Sequence, residues 1–118
     1  ALILVQAANE SGWGASRFAQ QGYNFFGLWC FKKGCGFVPK RRDDDAKHEV
    51  AKFTDLSHAV MTYMRNLNRH YAYKDLRMIR ENLRQNGEPV TATALASGLL
   101  SYSERGQEYI DELKSMLR

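Results

Sequence analysis

Cysteine is scarce in this chain: Cys30 and Cys35 are its only two among 118 residues. A zinc site needs about four ligands, usually as two paired sets, and no second pair exists to complete one. The three histidines, His48, His58 and His70, share no spacing with acidic residues that would define a metal site or a catalytic dyad, so they read as surface or core residues. Long apolar runs are also missing. Nothing approaches the roughly 18 consecutive apolar residues of a membrane helix, and no signal-peptide pattern is present. Ser11 lacks the G-x-S-x-G setting of a hydrolase elbow. Excess charge is modest, with 17 basic against 13 acidic residues and a net charge of +4. That balance suits an anionic partner, but without a basic recognition helix or an aromatic strand platform it does not point to nucleic acid.

What is present is an ordinary globular composition, 44% hydrophobic and 25% charged, in a length that predicts one domain. The chain opens in an apolar helical run without an initiator Met, which predicts a domain excised from a longer exported protein. Residues 1 to about 21 read as a first helix and its exit. The segment from Tyr23 to Val38 has no helical period and carries Asn24, Gly27, Gly34 and Gly36 at turn-like places. With the alternating stretch from Lys47 to Phe53 it predicts a small β-hairpin, whose tip or connection is the charged run Lys40-Arg41-Arg42-Asp43-Asp44-Asp45. The Phe31-Lys32-Lys33-Gly34 spacer suits a hairpin-tip disulfide between Cys30 and Cys35, with a free thiol pair as the alternative.

After Phe53 the period turns helical. Thr54 or Asp55 caps a helix carrying Leu56, Val60, Tyr63, Met64 and Leu67 on one side. Ala72, Leu76, Ile79 and Leu83 mark the next helix, which stops at Asn86-Gly87. Pro89 and Thr91 start a short helix with Leu95 and Leu99. A last helix from about Glu104 turns Tyr109, Ile110, Leu113, Met116 and Leu117 inward. The fold class is therefore α+β, mainly α, with one small β excursion between the first two helices.

Glu10 is the residue that does not fit a structural role. The run from Ala1 to Ala8 is apolar apart from Gln6, so a carboxylate stands at the end of an apolar helix. Burial against apolar surface and the C-terminal end of a helix dipole both disfavour its charged form. A carboxylic acid kept protonated in this way can donate a proton to a leaving-group oxygen. Gln6, Glu10 and Trp13, at i, i+4 and i+7, are predicted to share a face offering an amide, an acid and a flat apolar wall of the kind sugars bind. The alternative is a Glu that caps or salt-bridges at a helix end.

The segment Ala7-Ala8-Asn9-Glu10-Ser11-Gly12-Trp13-Gly14, followed by Tyr23-Asn24-Phe25-Phe26-Gly27, resembles the opening of the glucosaminidase family of peptidoglycan hydrolases, the flagellar and autolysin type. Ser101-Tyr102-Ser103-Glu104 and the later Tyr109-Ile110 are similar to that family's downstream segments. Leu28-Trp29-Cys30, Cys35-Gly36 and Tyr102 to Gly106 look closest to its bacterial Bax-type members. The resemblance covers essentially the whole chain. It implies a lysozyme-like domain whose helical lobe and β-hairpin lobe flank a substrate cleft, and which hydrolyses the β-1,4 bond after N-acetylglucosamine in peptidoglycan.

By position, Glu10 matches the family's general acid and Tyr102 its active-site tyrosine, which would place an N-acetyl group or a water. A second carboxylate is expected on the hairpin, where Asp45 and Glu49 are the leading candidates beside Asp43 and Asp44. Glycosidases set their two carboxyl groups about 5 Å apart for retention and wider for inversion. A substrate 2-acetamido group can instead serve as the nucleophile. Gln6, Trp13, Asn24, Phe26 and Trp29 are the candidate substrate-binding residues. No metal or organic cofactor is implied, and the expected state is a monomer acting on glycan strands in the periplasm or cell envelope. The alternatives are a lytic transglycosylase or muramidase, and a catalytically weak wall-binding module.

Overall fold

The computed structural model describes residues 1–40 and 46–118. The described chain is mainly helical with one small antiparallel sheet, as its periodicities predict. It divides into two compact units, one of residues 6–63 and one of residues 1–5 and 64–118.

Helix α1 (Leu2–Glu10), whose residues 2–5 fall in the second unit and 6–10 in the first, is stopped by the backbone after it. Gly12, Trp13 and Gly14 have φ of 59°, 58° and 83°, three successive left-handed residues. The glycines adopt this freely, whereas a residue with a Cβ such as Trp13 pays about 1–2 kcal/mol. Buried Ser11 holds the break: its Oγ donates to the Ala7 carbonyl at 2.6 Å and accepts from the Gly14 N–H at 2.8 Å. Trp13 therefore does not continue the face of Gln6 and Glu10, contrary to the helical spacing, and its indole is 81% exposed. Nor is α1 a wholly buried apolar rod. Leu4 is 72% exposed, while Gln6, the polar residue of the run, is fully buried. Helix α2 (Arg17–Gly22) starts at Ser16, whose side chain accepts from the Ala19 N–H, and ends at Tyr23 with φ 55°.

The β excursion is a three-stranded sheet rather than a two-stranded hairpin. Strands β1 (Trp29–Cys30) and β2 (Gly36–Phe37) flank β3 (Glu49–Ala51) in the order β1-β3-β2, both antiparallel to it. Trp29 lies opposite Val50, and Gly36 opposite Ala51. Residues 31–35 thus carry the chain from one edge of β3 to the other, and the Cys30–Cys35 disulfide, with Cα atoms 6.3 Å apart, closes that crossover. Residues 41–45 of the charged run, expected at the tip or connection of the β excursion, lie outside the described residues. Ala19, Phe26, Leu28, Val50, Ala51, Phe53, Ala59 and Tyr63 form the core of this unit.

The N-terminal turns of helix α3 (Leu56–Arg69) close the first unit, and Asp55 caps them by accepting from the His58 N–H at 2.8 Å. In the second unit a 3₁₀ turn (Tyr71–Tyr73) leads into α4 (Lys74–Gln85), which ends at Asn86 and Gly87 as the sequence indicates. Thr91 caps α5 (Ala92–Ala96) by accepting from the Ala94 N–H. Helix α6 (Gln107–Met116) begins later than expected, because Gly106 takes a positive φ and closes a turn onto the Ser103 carbonyl. Leu76, Ala96, Leu99, Tyr109, Ile110 and Leu113 are buried in this unit. A Cβ on Gly98 would fall 2.3 Å from the Leu76 Cα, so only glycine lets that backbone approach α4. No described helix is long and apolar enough to cross a membrane.

Candidate functional site

Glu10 is the last residue of α1 and is half-buried. Its carboxylate lies against the backbone of Gly27, where a Cβ would fall 2.9 Å from Oε2. Gly27 holds φ 67°, a conformation that glycine adopts without strain. The E-S-G-W-G and N-x-F-G segments, separate in sequence, are thus brought together at one carboxylate.

Asn24 fixes the turn that presents Gly27. Its Nδ2 donates to the carbonyls of Leu28 and Ala51, both at 2.9 Å, and its Oδ1 accepts from the Phe26 and Leu28 N–H groups at 3.3 and 3.2 Å. Two donors and two acceptor sites exhaust what an Asn amide can do. Phe26, buried beside Gly27, stacks on Tyr63 with ring centroids 4.5 Å apart. The Tyr63 hydroxyl donates to Gln6 Oε1, one helical turn before Glu10. A closed circuit of contacts, Gln6 to Tyr63 to Phe26 to Gly27 to Glu10, therefore orients the acid. Gln6, Asn24 and Phe26, expected to contact substrate, are all buried, and their contacts run through the frame that leads to Glu10.

Glu49 is also buried, in the central strand. Its Oε2 accepts from the Gly34 N–H at 3.0 Å and its Oε1 from the Gly36 N–H at 2.9 Å. Both oxygens are engaged in tying the disulfide-closed crossover to β3. Asp45, the other leading candidate for a second carboxylate, lies outside the described residues with Asp43 and Asp44.

The two indoles of this unit, Trp13 and Trp29, are exposed. His48 stacks on Trp29 with centroids 3.8 Å apart and planes 13° from parallel. The sequence treats His48 as unremarkable, and its role emerges only from the register. Trp29 pairs with Val50, so His48 is its diagonal neighbour across the ladder. In the other unit Tyr102 is half-buried between two rings, Tyr109 nearly parallel at 5.9 Å and Tyr73 tilted at 5.9 Å. Among the described residues, no group of three or more His, Cys, Asp or Glu side chains is placed to hold a metal ion.

Comparison with known proteins agrees with the motifs. The sequence model described as "Glucosaminidase: Mannosyl-glycoprotein endo-beta-N-acetylglucosaminidase" matches residues 1–118. "Protein bax" of Escherichia coli (strain K12) is 36% identical over 115 residues, covering 98% of this chain and 40% of that protein. The chain thus spans about two fifths of that relative's length. No solved structure gives a significant match. A family match across every residue, on a chain whose E-S-G-W-G and N-x-F-G segments meet at Glu10, means that the chain belongs to the glucosaminidase family.

Proposed function

We propose that this domain is an endo-β-N-acetylglucosaminidase that hydrolyses the β-1,4 bond after N-acetylglucosamine in peptidoglycan, with Glu10 as the general acid. The observation that carries this reading is the seat of Glu10: a half-buried carboxyl group at a helix C-terminus, held against the side-chain-free backbone of Gly27. The dipole at that end of the helix opposes negative charge and so favours the protonated, donating form. Glu10 gives its proton to the glycosidic oxygen as the bond to the anomeric carbon breaks. Trp13 and Trp29 supply flat apolar faces for the sugars flanking that bond. Tyr102, matched by position to the family's active-site tyrosine, places the N-acetyl group or a water.

The second group is a carboxylate of the β segment, Asp45 or Glu49 beside Asp43 and Asp44, or the substrate's own 2-acetamido oxygen; Glu49 also accepts from two loop amides. A domain acting on this polymer works in the cell envelope. The test is digestion of purified peptidoglycan by the native protein and by Glu10→Gln. The expected outcome is release of fragments with reducing N-acetylglucosamine ends, lost in the variant while wall binding persists. Reducing muramic ends or 1,6-anhydro products would overturn the bond assignment, and full activity in Glu10→Gln would overturn the acid.

A further inference from the structure

We infer that Tyr71, backed by His70, is a sugar-binding platform that takes one pyranose ring of a longer glycan chain. The inference rests on the glycan-hydrolase reading above and adds a subsite to it. Tyr71 is 84% exposed, so its ring contributes little to any core. It is nonetheless held in place. The His70 ring stacks on it with centroids 4.7 Å apart and planes 25° from parallel. His70 is fixed in turn: its Nδ1 accepts from the Ala72 N–H at 3.1 Å, its N–H donates to the Asn66 carbonyl at 2.9 Å, and its own carbonyl accepts from Arg77 at 2.8 Å. A flat ring ordered in advance binds without the entropic cost of immobilising a rotamer-rich side chain.

The direction of the rings says which ligand the platform serves. From His70 the contacts pass to Tyr73 at 5.9 Å, to Tyr102 at 5.9 Å and to Tyr109 at 5.9 Å. Tyr109 is buried, which roots the string in the core of its unit. Tyr102 is the residue matched to the family's active-site tyrosine, and the exposed end of the same string is Tyr71. A glycan chain engaged at Tyr102 and running along these rings meets Tyr71 as an open aromatic face. Pyranose rings of β-linked N-acetylglucosamine present axial C–H groups to such a face, and the ring is uncharged, as a neutral sugar requires.

The test measures how affinity grows with chain length, using chitin trimer and hexamer and isothermal titration calorimetry. The Glu10→Gln chain is the background, so that neither oligomer is cleaved. That protein should bind the hexamer about tenfold more tightly than the trimer, one stacked ring being worth about that factor. Adding Tyr71→Ala should abolish the gain, and adding His70→Ala, which removes the backing ring, should reduce it. Thermal melting of each variant checks that the fold is intact. An undiminished gain with Tyr71→Ala overturns the platform and leaves the glycan reading standing, as does a gain already absent from the Glu10→Gln parent. Failure of the parent to bind either oligomer overturns both.

Discussion

Replacing Gly27 with alanine separates the cost of strained backbone from the cost of a displaced acid. Gly27 sits at φ 67°, and a Cβ there would lie 2.9 Å from Glu10 Oε2. That is too short for a methyl group against an oxygen, so something moves, and the free end of the Glu10 side chain moves most cheaply. Gly87, just past α4, has the same φ of 67° with nothing within 4 Å of the added Cβ. Each substitution should cost about 1–2 kcal/mol of stability from left-handed backbone alone. At this chain length that corresponds to roughly 4–8 °C in Tm, read by calorimetry. Only Gly27→Ala should also displace the acid by several tenths of an ångström. Since a misplacement of about 1 Å costs about a hundredfold in rate, a further loss of about tenfold in turnover on purified peptidoglycan is expected for Gly27→Ala. Equal turnover in the two variants, measured well below both melting temperatures, would refute the claim that Gly27 positions Glu10.

Three further substitutions probe the supports. Glu49→Gln exchanges one acceptor oxygen for an amide donor facing a loop N–H, and should lower stability by about 1–3 kcal/mol in urea denaturation. An unchanged midpoint would show that the crossover does not depend on that carboxylate. Cys30→Ser with Cys35→Ser opens a short loop whose closure is worth about 2 kcal/mol in the chain-entropy model, so the doubly substituted protein and the native protein in reductant should melt alike and below the oxidised form. Asn24→Asp places an acceptor where the amide donated to the Leu28 and Ala51 carbonyls. Its expected cost is on the order of 3 kcal/mol, with circular dichroism melting as the measurement.

The helices after Phe53 are legible because their signals are local. Leu56 to Leu67 repeat at helical spacing, Asp55 caps by a bond within its own turn, and Asn86-Gly87 ends α4 through backbone that glycine adopts freely. The sheet is less legible. Strands of two or three residues carry too little alternation to reveal pairing, and a Cys30–Cys35 bridge is compatible with either a hairpin or a crossover. Only the pairing of Trp29 and Gly36 with successive residues of β3 makes β3 central. The start of α6 is misplaced for a similar reason, since Gly106 closes a turn that the apolar spacing of Tyr109, Ile110 and Leu113 does not encode.

The site divides along the same physical line. Gln6 stands out in the sequence as a polar residue in an apolar run, and that anomaly has two solutions: an exposed ligand, or a buried group with a partner. The partner is Tyr63, 57 positions away, and no local pattern announces it. Asn24 carries the same ambiguity, and it resolves the same way once its amide is seen to bond carbonyls in its own turn and in β3. Gln6 and Asn24 are therefore legible as motif residues, while the bonds that tie them into one frame are not. That frame leads to Glu10, and the part of it in direct contact with the carboxylate is a glycine. A side chain at position 27 would occupy the space the carboxylate uses, so the absence of a Cβ there is as much a requirement of the site as the acid itself.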